Sequence, residues 1–263
     1  MTFQNILLEK KGRVATLTLN RPDALNALHI PMVREMWQAV QEVKEDKEVR
    51  VLIVTGAGKV FCGGGDVNFL MNELIPEPPI GIRGLLQEIG RPIVALRELE
   101  IPVIAAINGA AVGAGFDLLL HCEFRVAAQG AKVGPTWIRN GIIPVVGSMV
   151  LLPKFVGLTR ATDMILRGAV VDADEGYRIG LHTKVVPPEA LIPECEKLAL
   201  ELASAPPLAM AMAKTGIHRG LDGRVDYELG YALYLQTVCM TTQDFREGLQ
   251  SFLDKRKPQF TGR

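Results

Sequence analysis

Two glycine-rich segments and one carboxylate have the types and spacing to act on a common substrate. The first segment runs Gly56-Ala-Gly-Lys-Val-Phe-Cys-Gly-Gly-Gly-Asp66, the second Asn108-Gly-Ala-Ala-Val-Gly-Ala-Gly-Phe-Asp117. Each follows an apolar run and precedes a helical pattern. Small residues at a helix start leave backbone amides bare, and the helix dipole adds partial positive charge there. Two such amides meeting one carbonyl oxygen form an oxyanion hole, which stabilises a developing enolate. Ala114 and Asp117 are three apart, so they share one helix face. An amide donor and a carboxylate can thus address one substrate from a single turn. Neither segment is a nucleotide fingerprint. Gly58-Lys59 lacks the upstream glycine and following Ser/Thr of a P-loop, and Gly113-Ala-Gly115 has no third glycine at the right offset.

The remaining polar residues have simpler readings. His121 ends an apolar run and reads as an internally hydrogen-bonded histidine; His29, His182 and His218 join no acid/base constellation. Asp66 reads as a helix N-cap, Asp172 with Glu175 as a capping box, and Met210 and Met212 as helix packing. Glu73 and Glu77 flank a proline-rich stretch and are surface charges by default, or a source of a missing acid. Cys62, Cys122, Cys195 and Cys239 are widely separated and read as reduced thiols of a cytoplasmic protein.

Of 263 residues, 29 are basic and 29 acidic, and this balance argues against a general nucleic-acid binder. The start has no apolar core of a secretory signal. Ile101 to Leu120 is span-length but carries Pro102, Asn108, Asp117 and three glycines, so it reads as strand, loop and helix rather than a membrane segment.

The elements that must position these residues follow from periodicity. Arg13–Leu19 alternates as a strand, and Val33, Met36, Trp37, Val40 and Val43 mark a helix over Pro31–Glu45. Strands are expected at Val49–Thr55 and Val103–Ile107, with helices from Asp66, up to Leu99, and up to His121. Three prolines make Leu74–Ile80 the expected mobile loop. The first two-thirds therefore reads as an α/β core of repeated strand–turn–helix units. The last third reads as helices at 188–203, 207–220, 224–240 and 243–254, with one strand at Thr183–Val186. The division expected is a core over 1–200 and a helical segment over 201–263.

Leu19-Asn-Arg-Pro-Asp-Ala-Leu-Asn-Ala-Leu28, Phe61–Asp66, Pro102–Gly109, Ala173–Gly180 followed by Leu181, Val185-Val186, and Asp244-Phe-Arg-Glu-Gly248 running to Phe260 together resemble the enoyl-CoA hydratase/isomerase (crotonase) superfamily. The resemblance spans about residues 13 to 260. It implies a spiral of ββα units, a helical C-terminal trimerisation segment forming a trimer or dimer of trimers, and coenzyme A thioester substrates. It implies no cofactor beyond the CoA carried by the substrate. By position, Gly65 and Ala114 would supply the oxyanion amides. Ala24, Leu25, Ala27, Asp66 and Val67 would line the CoA groove. Lys255 would reach a CoA phosphate of its own or an adjacent subunit, or belong to a solvated charge run with Arg256 and Lys257.

The acids depart from the family pattern. Its hydratases hold water between two glutamates; the first position here is Asp117, and Trp137 stands at the second. One residue past Pro144, where some relatives carry an aspartate, is Val145. One aspartate beside a bulky indole suggests a pocket shaped for a different acyl group, cyclic or aromatic. The expected activity is enoyl-CoA hydration. The alternatives are double-bond isomerisation with Asp117 as sole acid/base, and CoA binding without turnover.

Overall fold

The computed structural model describes residues 3–221 and 235–263. Its core is a spiral in which successive strand pairs feed two sheets. One sheet has six strands, β1 (Ile6–Lys11), β2 (Val14–Leu19), β3 (Val51–Gly56), β5 (Val103–Ile107), β7 (Phe124–Ala128) and β10 (Lys184–Val186), hydrogen-bonded in that order. The other has four, in the order β4 (Val60–Cys62), β6 (Ala110–Val112), β8 (Lys132–Gly134) and β9 (Val171–Asp172). Thus β3–β4, β5–β6 and β7–β8 each place one strand in each sheet, and all neighbours among β2, β3, β5, β7 and β10 are parallel. Parallel strands covered on both faces should be apolar throughout. Val51 to Gly56 and Val103 to Ile107 are accordingly buried at every position.

Helices close each turn of the spiral. Helix α1 (Ile30–Glu45) buries Val33, Met36, Val40 and Val43. A short helix, α2 (Val67–Phe69), widens into a looser turn over Leu70–Leu74, and α3 (Pro79–Glu98) follows. The proline-rich stretch is therefore mostly a helix start: Pro79 sits in the first turn of α3, where its missing N–H costs nothing. Only residues 75–78 connect the two. Of the loop expected over Leu74–Ile80, Leu74 thus closes the preceding turn and Pro79 and Ile80 open α3.

Helix α4 (Ala114–Leu120) is wholly buried, and α5 (Ser148–Val156) packs near it. The last third is helical as expected, with α8 (Leu191–Ala203), α9 (Pro207–Gly220) and a final helix at Gln243–Leu253. Of the helix expected at 224–240, residues 224–234 lie outside those described. Strands β1, β4, β6, β7, β8 and β9 were not expected from periodicity. Those of the second sheet are two or three residues long, too short for alternation to register.

Among the described residues, no helix is long and apolar enough to cross a membrane, and no cluster of His, Cys, Asp and Glu could hold a metal ion. The four cysteines are free thiols, three of them buried.

Candidate active site

The second sheet brings the chemistry together. Strands β4, β6 and β8 are adjacent and parallel, with Cys62 beside Ala111 and Val112 beside Gly134. Their C-terminal ends therefore release three segments side by side: Gly63–Asp66 after β4, Gly113–Asp117 after β6, and Pro135–Trp137 after β8. Ligands of parallel sheets commonly sit at this end of the strands.

Close backbone approach makes the first two segments one unit. Gly115 lies so near Cys62 that a Cβ there would come within 2.4 Å of the Cys62 carbonyl oxygen. Gly64, at φ +97°, packs its Cα against Gly113, and a Cβ would stand 3.7 Å from the Ala114 amide nitrogen. Leu28 takes both bonds on its side of the loop: its N–H donates to Gly64 O (2.7 Å) and its carbonyl accepts from Asp66 N (2.9 Å). The Gly65 N–H, on the opposite side of that pairing, and the Ala114 N–H, at the start of α4, donate to no acceptor among the described residues. Two free amides on abutting loops can bind one oxyanion.

A preceding loop is tied to the same unit by two side chains that motif reading passed over. Asn26 is wholly buried at φ 54°, a left-handed conformation that asparagine tolerates better than most residues. Its Nδ2 donates to Ala57 O (2.9 Å) and Val60 O (2.7 Å), and its Oδ1 accepts from Arg21 N (2.9 Å). The Arg21 guanidinium donates to Ala27 O (2.7 Å) and Asp66 Oδ2 (2.9 Å). Asp66 also caps α2 through Asn68 N and Phe69 N, as expected, and these donors hold its carboxyl below the usual range despite burial. Ala24 and Ala27 are half-buried in this loop, while Leu25 and Val67 stand 56% and 69% exposed. Apolar side chains left open beside bare amides mark a surface that a ligand can cover.

Asp117, in the first turn of α4, has no solvent exposure. Burial pushes its carboxyl up to about 6, partly offset by donors from Ser148, Val146 and Trp137. The Ser148 hydroxyl donates to Asp117 Oδ1 in a short hydrogen bond. Ser148 is held there from the same helix: His121, which caps α4, donates from Nε2 to Val146 O (2.7 Å). Burial lowers the His121 pKa, so the ring is neutral and acts as a structural donor, as expected. Ser148 was missed in the sequence because no recognised motif contains it.

Trp137 is half-buried against the core, in a turn over Thr136–Asn140 that follows β8. Its indole N–H faces the Asp117 carboxylate closely enough to favour the charged form, but forms no hydrogen bond; Asp117 Oδ2 is likewise unpartnered. The structure thus joins Gly65, Ala114, Asp117 and Trp137 into one site.

It does not bring Glu73 or Glu77 to Asp117. Both are exposed, and the Glu77 carboxylate lies over Gly81 in the first turn of α3. Val145 is 49% exposed. Lys255 is exposed beyond the last helix at φ 53°, and no hydrogen bond or ion pair among the described residues links it to the glycine loops. Asp172 caps α7 (Ala173–Arg178) through Glu175 N, but Glu175 turns to Arg178, so only half of the capping box forms. His182 is buried with its pKa lowered to about 4. His218 departs from its expected isolation: its Nε2 lies 3.1 Å from Glu123 Oε1, and Lys214 reaches Glu123 Oε2 at 3.0 Å. That cluster fastens α9 to the start of β5 through Val103 N, away from the glycine loops.

The model of the enoyl-CoA hydratase/isomerase family matches residues 9–263. The chain belongs to that family. It is 40% identical to the crotonyl-CoA hydratase of Syntrophomonas wolfei, with 99% of each chain covered. It is 36% identical to the short-chain-enoyl-CoA hydratase of Clostridium acetobutylicum, covering 98% of this chain and 97% of the relative. The crystal structure of an enoyl-CoA hydratase from Bacillus anthracis superposes with a TM-score of 0.94 at 33% identity, covering 99% of this chain and 100% of that one. The expected crotonase fold is therefore the fold of this member of the hydratase/isomerase family.

Proposed function

We propose that this enoyl-CoA hydratase works with a single carboxylate: Asp117 carries the proton while the amides of Gly65 and Ala114 hold the thioester oxygen of a 2-enoyl-CoA. The observation that carries this reading is that two amides without a backbone acceptor stand on abutting loops, with a wholly buried carboxylate one turn along the helix that Ala114 starts. Polarising the thioester carbonyl makes C3 electrophilic and lets negative charge collect on oxygen as an enolate. At neutral pH a carboxyl near 6 is mostly ionised, yet close enough to the working pH to release its proton again. Asp117 can thus take a proton from water and return it to C2.

The backbone at Ala24–Ala27, with the open side chains of Leu25 and Val67, lines the CoA groove. Asp66 shapes that groove through Arg21 and the α2 cap rather than by direct contact. Lys255 meets a CoA phosphate of its own or a neighbouring subunit. The apolar residues left exposed on the C-terminal helices, among them Ile217, Leu249 and Leu253, support a helical segment that packs against further copies as a trimer or a dimer of trimers.

The test is incubation with crotonyl-CoA, a 3-enoyl ester and a cyclic enoyl ester, following product mass and the conjugated-thioester absorbance. A gain of one water on a 2-enoyl ester supports the reading. Unchanged mass with a shifted chromophore replaces it with isomerisation, which the lone carboxylate favours because a 1,3-proton shift needs only one group. No change on any ester leaves a CoA-binding protein.

A further inference from the structure

Val146, Gly147 and Ser148 form one short turn, with Asp117 on one side and His121 on the other. The Ser148 hydroxyl donates to Asp117 Oδ1, and the backbone N–H groups of Ser148 and Val146 also face that carboxyl and favour its charged form. Opposite them, His121 Nε2 lies 2.7 Å from Val146 O. Gly147, at φ +123°, leaves room for this contact, since a Cβ there would stand 2.8 Å from His121 Nε2. A carbonyl can only accept, so Nε2 carries the ring hydrogen and Nδ1 is bare. Nδ1 is buried without a partner, so a second proton would place an unpaired charge on a ring that is 5% exposed. The groups that act on the ring from the surrounding elements are Arg97 of α3, Glu123 just before β7 and His218 of α9. Glu123 favours that second proton and the other two oppose it, while burial, the largest influence, keeps the ring a neutral donor.

We propose that His121 is a positioning residue for the hydration step: through the Val146 carbonyl it fixes the turn whose donors hold Asp117 in place and in its charged form. The assignment rests on the hydratase reading above, in which Asp117 carries the proton. His121 touches no reacting atom and moves no proton. With its bond to Val146 lost, the turn can swing on Gly147, and the Ser148 hydroxyl and the two amides drift from Asp117. The carboxyl then loses donors that favour its charged form, so less of it is ionised at neutral pH. Misplacing a group that moves a proton also slows the reaction without weakening binding. The Gly65 amide lies on the β4 loop and the Ala114 amide at the far end of α4, so affinity for the thioester should not follow.

The test compares wild type, His121→Met and His121→Gln. Methionine and glutamine have similar length and shape, but only glutamine carries an N–H to offer Val146 O. Each is read twice: by kcat/KM for crotonyl-CoA against pH, and by NMR titration of the Asp117 carboxyl, assigned with Asp117→Asn. In His121→Met, kcat should fall about tenfold while butanoyl-CoA affinity stays within about twofold of wild type. The acidic limb and the carboxyl titration should both move upward from about 6, by about half to one pH unit. His121→Gln should recover most of both losses. Lower thermal stability in His121→Met with the limb and the titration unmoved would make His121 a purely structural donor and overturn the proposal. So would methionine and glutamine variants that behave alike. If His121→Met does not fold, the wild-type ring decides. Its imidazole nitrogen signals should move as Asp117 ionises near pH 6 and stay flat in Asp117→Asn, whereas signals flat in both overturn the proposal. Wild type that hydrates no 2-enoyl ester would refute the hydratase reading, while the carboxyl titration needs no turnover and tests the hold on Asp117 by itself.

Discussion

The two halves of the site are built from different materials. The half proposed to face the thioester oxygen is backbone: the Gly65 and Ala114 amides, on loops that abut because β4 and β6 pair in parallel and glycines let them touch. The half proposed to face the reacting carbons is side chain: Asp117, Trp137 and Ser148, with His121 fixing the segment that leads into Ser148 at the start of α5. A backbone site tolerates many side chains provided the chain path is kept. A side-chain site can change its chemistry with one substitution and no change of fold. On the proposed reading, that difference would let a chain 40% identical to a crotonyl-CoA hydratase over 99% of its length work with one carboxylate where the family resemblance implies two.

The sharpest way to break the comparison is to remove the side-chain half. Asp117→Asn should cost about 10³- to 10⁴-fold in single-turnover hydration of crotonyl-CoA, with butanoyl-CoA affinity retained, because the amide cannot accept the proton. The same variant bears on stability. The folded-state pKa of Asp117 is raised to about 6, so the native protein holds this proton at pH values where the unfolded chain has lost it. Wild type should lose stability relative to Asp117→Asn as pH rises from about 4 to 6, an order-of-magnitude effect of about 3 kcal/mol in denaturant titrations. Parallel stability curves would contradict the buried carboxylate.

On the backbone half, the contrast lies between two substitutions at one position. Gly65→Pro removes the N–H and should lower kcat about 10²- to 10³-fold, whereas Gly65→Ala should remain near wild type. A Cβ at Gly65 first meets the Leu70 side chain, at 3.4 Å, an ordinary contact, and the amide survives. Equal activity of the two variants would detach this amide from the oxyanion.

Ser148→Ala should cost less, about tenfold, and should move the acidic limb of the pH profile upward. Without the Ser148 hydroxyl, Asp117 loses a donor that favours its charged form. A merely structural serine would leave the limb in place.

The smallest catalytic effect is expected from Asn26→Ala, which should act on stability. Losing its bonds to Ala57 and Val60 leaves two carbonyls without their partner, at about 2–3 kcal/mol in calorimetric unfolding. An unchanged Tm would mean that the CoA-facing loop is held by other contacts.

These contrasts track what was legible in the sequence. Long elements announced themselves: α1, β5 and α8 carry enough apolar periodicity to locate within a few residues. The second sheet did not, because strands of two or three residues are defined by long-range pairing rather than by pattern. The two glycine-rich loops and the i, i+3 pair Ala114/Asp117 are local signals, whereas Gly65 was singled out within its loop only through the family resemblance. Ser148 lies 31 residues from the carboxylate it serves, and Asn26 holds carbonyls 31 and 34 residues away. Such partners are set by the fold, and no local spacing encodes them. The prolines at 76, 78 and 79 misled for a related reason, since proline punctuates a mobile loop and starts a helix with the same residue type.

The claim that one carboxylate carries the chemistry is tested most directly by the pH dependence of kcat/KM for crotonyl-CoA from about pH 4.5 to 8. A single ascending limb with an apparent pKa of about 6 is predicted, set by Asp117 alone. A limb at the ordinary carboxylate value near 4, or a descending limb within that range from a second titrating group, would contradict it.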